Sequence, residues 1–145
     1  MATDQLERVA QWEQDKEDQC AKVFQQAQQY LFEHQQRLGN IERYRTEYLD
    51  NIHNHGNTGL GARDYTQKLS FIAQLDNACV QQNQIISQAI LVADQRKQEW
   101  LAQQCKRKAV DYLIDKRRKQ QIKRAEKREQ QLLDEFALHS FLRNR

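Results

Sequence analysis

The chain has 145 residues, 39% of them hydrophobic and 30% charged, with a formal net charge of +3 and no proline. With a mean hydropathy of -1.01, that is one domain's length with too little apolar material for a thick globular core, though enough for a thin seam. No segment approaches the roughly 20 apolar residues a membrane span needs, and Cys20, Cys79 and Cys105 lie too far apart for a CxxC redox or zinc motif.

The start, Met1-Ala2-Thr3-Asp4, has neither the basic beginning nor the apolar run of a signal peptide. A cytoplasmic chain is therefore expected, reaching a membrane only through a partner or its charge. From Leu6 onward apolar residues recur at alternating steps of three and four: Leu6, Ala10, Cys20, Phe24, Ala27, Leu31, Leu38, Ile41, Tyr48 and Ile52. That spacing predicts a coiled-coil helix over about 4–53. Glu13, Glu17, His34 and Arg45 fall on the same line and are expected to weaken it, while Tyr30 and Tyr44 widen it. Disorder, which so polar a composition would permit, is opposed by the heptad order and the missing proline.

The pattern stops between His53 and Gly61, where Gly56, Gly59 and Gly61 with Asn54 and Asn57 end helices and tolerate left-handed backbone, so a turn is expected over about 54–61. The stripe resumes as Tyr65, Leu69, Ile72, Cys79, Ile86, Ala89, Ala93 and Trp100, with Leu75 and Ile90 beside it. A narrow stripe leaves its apolar face in water unless another helix covers it. A short connection makes the neighbours antiparallel. The expected fold is all-α, a single antiparallel coiled-coil hairpin over 1–145, with the cysteines as small, reduced seam residues. If residue i lies opposite about 117 minus i, Leu31 meets Ile86, Leu38 meets Cys79, Phe24 meets Ala93, and the acidic start lies beside Lys106, Arg107 and Lys108.

The second helix, about 62–140, is longer and must overhang. Beyond about Asp111 it is expected to lack an intramolecular partner, yet Val110, Leu113, Ile114, Ile122, Leu132, Leu133, Phe136, Leu138, Phe141 and Leu142 still supply apolar anchors. Exposed anchors at helical spacing on such an arm point to another chain. Basic charge is concentrated there, with eleven Lys or Arg from Lys106 to Arg128 against Asp111, Asp115 and Glu126. A solvated face, acidic protein loops and nucleic-acid phosphates would each account for it. The scarcity of interleaved aromatics disfavours stacking on single strands. No glycine-rich phosphate cradle and no pocket-forming architecture suggest catalysis, a small-molecule substrate or a cofactor. His53 and His55 offer too few ligands for a metal.

The order Tyr44-Arg45-Thr46-Glu47-Tyr48, a glycine-asparagine turn, Tyr65 to Leu75, Trp100, a long basic helix and Leu133-Asp134-Glu135-Phe136-Ala137 resembles the FliJ family. The resemblance implies a non-catalytic component of the flagellar type III export apparatus, similar in shape to the γ stalk of rotary ATPases. It implies that the paired ends enter the hexameric export ATPase FliI, that the chain links this ring to the export gate FlhA, and that it helps escort export chaperones. The chain would then sit at the cytoplasmic face of the inner membrane through the apparatus. The gate surface implied is Ile41, Tyr44, Tyr48, Phe71, Leu75 and Ala78, framed by Arg37 and Gln82. The ring contacts implied are Lys106, Arg107, Lys108, Arg117, Arg118, Arg124, Leu132, Leu133 and Phe136. A basic coiled coil binding nucleic acid, or a scaffold whose overhang pairs with itself, is the alternative.

Overall fold

Strong helix formers with no proline to interrupt them give two long helices, α1 (Ala2–Gly56) and α2 (Ala62–Arg143), of 55 and 82 residues. The computed structural model describes residues 2–56 and 61–144, so the middle of the expected turn, 57–60, lies outside the described residues. Asp4 and Asp64 stand in the first turns and Arg143 in the last, each signed to complement the helix dipole. Gly39 does not break α1, and a Cβ there would meet nothing within 4 Å. No strand occurs among the described residues, and no helix is long and apolar enough to cross a membrane. The fold is the antiparallel hairpin with a longer second helix that the seam predicts.

The chain divides into two compact units, Gln19–Trp100 and Met1–Asp18 with Leu101–Arg145. In the first, the antiparallel order is written in the cross-helix contacts. Tyr48 meets Phe71, Arg45 meets Asp76, His34 meets Gln82 and Phe24 meets Trp100, so each step back along α1 is a step forward along α2. Every α1 position from Cys20 to Ile52 on the predicted line is buried or half-buried, His34 and Arg45 included. The facing line on α2 runs Ile72, Leu75, Cys79, Gln82, Ile86, Ala89, Ala93, Arg96, Trp100. Ala89, only 4% exposed, lets the helices approach closely, and burying each of Ile72 and Ile86 contributes about 1.5–3 kcal/mol.

Phe24 has its ring contact with Trp100, centroids 5.7 Å apart, and Ala93, expected opposite it, is 8% exposed. One part of the predicted α2 line is corrected. Tyr65 and Leu69 are 48% and 46% exposed rather than in the seam, and Ile90, expected beside it, is 48% exposed. For Leu69 the reason is phase: a four-residue step back from Ile72 lands on Lys68, which is half-buried.

In the second unit Leu6, Ala10, Glu13 and Glu17 of α1 face Gln103, Arg107, Val110 and Ile114 of α2. The pairing continues past Asp111, since Glu7 reaches Arg118 at 3.6 Å. From 115 to 139 every residue of α2 is exposed. Cys105, expected in the seam, is exposed too, whereas Cys20 and Cys79 are half-buried in theirs.

Candidate interaction surfaces

Within Gln19–Trp100, Tyr44 and Tyr48 lie one helical turn apart on α1, and Phe71 of α2 packs between them. The Phe71 ring stands edge-on to Tyr44 at 6.0 Å and 88°, and to Tyr48 at 4.9 Å and 63°. These are the offset and T-shaped arrangements that ring quadrupoles favour. Tyr48 and Phe71 are half-buried, and Tyr44 keeps 50% of its surface in solvent, so the cluster is anchored on one side and open on the other. Ile41, Leu75 and Ala78 are half-buried around it, and Arg37 is exposed. Arg45 Nε donates to Asp76 Oδ1 at 2.5 Å, pinning the two helices beside the rings.

Gln82 does not frame this surface. It is 5% exposed and turned into the seam, where its Nε2 donates to the His34 carbonyl at 3.0 Å and lies 2.7 Å from His34 Nδ1. The paired His34 is thus a partner for a buried amide rather than a gap in the stripe.

The same holds at Glu13 and Glu17, which were expected to weaken the seam. Both are buried, at 8% and 7% exposure. Gln103 Nε2 donates to the Glu13 carbonyl at 3.1 Å and to its carboxylate, and Arg107 Nε donates to Glu17. No buried side-chain polar atom lacks a partner among the described residues, as burial of polar groups requires. Arg107 also donates to Asp111 at 2.9 Å. Hydrogen bonds to Glu17 and then Asp111 raise the Arg107 pKa further, so this expected ring contact is already engaged within the chain. Lys106, Lys108, Arg117, Arg118 and Arg124 are exposed, and Arg118 also reaches Glu7. Leu132, Leu133 and Phe136 are 66%, 60% and 72% exposed.

The Gln103 hydrogen bond, helped by Lys16 and Lys106 against the opposing effect of burial, holds Glu13 below its ordinary carboxylate value of 4.5. A carboxylate with a depressed folded pKa stabilises the fold fully above its unfolded value and loses that contribution as pH falls through the folded one. Thermal melts should accordingly drop in midpoint on acidification below pH 4.5. Glu13→Gln, which cannot titrate, should flatten that part of the profile. An unchanged slope would remove Glu13 from the account.

Arg107 beside Glu17 is the pairing of the acidic start with the basic stretch that the register predicts, whereas sequence reasoning missed the polar partnerships of Gln82 and Gln103, as well as a shallow apolar groove of about 400 Å³ lined by Ala27, Tyr30, Ile85, Ala89 and Val92. The signal for the groove is present, because 77–93 carries no charged residue in a chain otherwise rich in them.

A helical hairpin with hydrogen-bonded layers in its seam, an open aromatic cluster and an exposed basic arm defines a two-helix coiled-coil protein. The chain belongs to the FliJ family: the family model described as flagellar FliJ protein matches residues 1–145. Membership makes it a component of the flagellar export apparatus. No curated protein and no solved structure matches it.

Proposed function

We propose that this chain is a non-catalytic stalk and linker of the export apparatus, joining the hexameric export ATPase FliI to the export gate FlhA and assisting export chaperones at the cytoplasmic face of the inner membrane. The observation that carries the ATPase side is the stretch of α2 from 115 to 139, exposed throughout. Continuing the seam in steps of three and four from Ile114 lands on Arg117, Gln121, Arg124 and Arg128. The line that faces α1 therefore turns basic at the end of α1, where Glu7 still reaches Arg118, and stays basic beyond it, which suits acidic loops of a ring. The open Tyr44, Tyr48 and Phe71 cluster supports the gate side, since Tyr and Phe anchors with one solvated edge are suited to interfaces.

A stalk of this kind hydrolyses nothing. It shifts the ring through contacts that differ between subunit states, the only way a partner can move such an equilibrium. Adding the chain to FliI should change its ATPase rate or the stability of its hexamer. No change in either, at low and at moderate salt, would remove the role. The apolar anchors beside the basic run disfavour a purely phosphate-binding role, because phosphates have no use for Leu132 or Phe136.

A further inference from the structure

Within Gln19–Trp100 the open side of the aromatic cluster continues along the hairpin. Stepping by sevens from Tyr44 back along α1 gives Arg37, Tyr30 and Val23, and from Phe71 forward along α2 gives Ala78, Ile85 and Val92. A heptad step keeps a residue on the same side of a coiled-coil seam. The two lines are joined across the helices in two places: Tyr44 packs on Phe71, and Tyr30, Ile85 and Val92 line one groove farther along. The same stepping on the opposite side gives Gln28, Gln35 and Glu42 on α1 and Asp76, Asn83 and Lys97 on α2, interrupted only by Ile90. One flank of the hairpin is therefore apolar and the other polar.

Spacing and charge identify what covers the apolar flank. Its positions recur about every 10.5 Å over about 32 Å, the interval of the layers in a coiled coil, so a third helix stays in step with them. An extended segment, whose side chains return to one face about every 7 Å, does not. The edge beyond the line on α2 is Gln74, Gln81, Gln88 and Gln95, and beyond the line on α1 it is Gln26, Glu33, Asn40 and Glu47, all of them exposed. An anionic lipid surface or a nucleic acid calls for Lys and Arg at such edges. These edges are neutral and acidic.

We propose that one amphipathic helix of the export gate lies lengthwise on this flank, from Tyr44 and Phe71 at one end to Val23 and Val92 at the other, completing a three-helix coiled coil. This rests on the gate reading and carries that contact three heptads along the hairpin. Arg37 is the one charge among the eight positions, and covering it unpaired is costly. The docking helix therefore brings an acid to that layer, where Ala78 on α2 is small enough to leave room for it. Along its α1 edge the helix carries bases that meet Glu33 and Glu47, and along its α2 edge uncharged residues that meet the glutamines.

Calorimetric titration of the full chain with the isolated gate domain tests it. Tyr30→Asp and Val92→Asp, two and three heptads from the aromatic pair, should each weaken binding about tenfold or more, and Arg37→Glu about tenfold. Gln28→Asp and Asn83→Asp, on the polar flank at the same levels, should leave affinity unchanged. Tyr30 and Val92 are 51% and 45% exposed, so helicity and melting temperature should be the same in every variant. Hydrogen exchange on the gate domain should show one run of about 20 residues protected on binding, the length of helix that spans the flank. If Tyr44→Ala weakens binding while Tyr30→Asp and Val92→Asp keep full affinity, the extension is overturned and the gate reading stands. Full affinity in all three removes the gate reading itself and the extension with it. Protection confined to a short loop of the gate also overturns the docked helix.

Discussion

Tyr44→Ala and Phe71→Ala should each weaken binding to the export gate ten- to a hundredfold, about 1.4–3 kcal/mol. The three rings form one contact, with Phe71 edge-on to both tyrosines, so losing either residue tilts what remains as well as removing its own area. The two substitutions separate binding from folding. Tyr44 is half in solvent and contributes little to the seam, whereas Phe71 is half-buried and its removal should also lower the melting temperature. Calorimetric titration with the isolated gate domain, alongside melting curves, reads both effects. Full affinity in Tyr44→Ala would place the gate contact elsewhere. Binding that survives this change but collapses with added salt would favour a charge-driven partner instead.

The second large effect is expected at the far end of α2. Leu132→Asp combined with Phe136→Asp should abolish association with the ATPase ring, a loss of at least about a hundredfold, because each aspartate brings an unpaired charge into a contact meant to be apolar. At 66% and 72% exposure these side chains do little for the chain's own fold, so its melting curve should hardly move. Co-sedimentation with the assembled hexamer is the measurement. Unimpaired binding would assign the ring contact to the basic seam line of Arg117, Arg124 and Arg128 alone.

The α1 seam was legible almost residue by residue, because fourteen positions from Leu6 to Ile52 keep an unbroken three-four spacing. The line was followed even through Glu13, Glu17, His34 and Arg45, and all four lie buried or half-buried on it. On α2 the same reading faltered for a physical reason. Gln82, Gln103 and Arg107 are seam residues by position and polar by nature, and hydrophobicity marks the line only where a layer is apolar. Counting by phase from Ile72 finds all three, and would have passed over Leu69. Which surface each partner uses is less legible, because exposure is the default state of polar and basic residues on a helix. Arg107 shows the difficulty: a charge read as available for a ring is held by Glu17 and Asp111.

The hydrogen-bonded layers also decide how the hairpin bears load. Shifting α2 by one heptad would bring Glu17 against Trp100 or Ile114 instead of Arg107, and His34 against Leu75 or Ala89 instead of Gln82. Each such step strands a carboxylate or an amide without a partner, a cost of about 1–3 kcal/mol per group. A pull along the axis of α2 is therefore met like a key turned in the wrong lock. The helices hold their alignment until the polar pairs break one after another, and they do not creep.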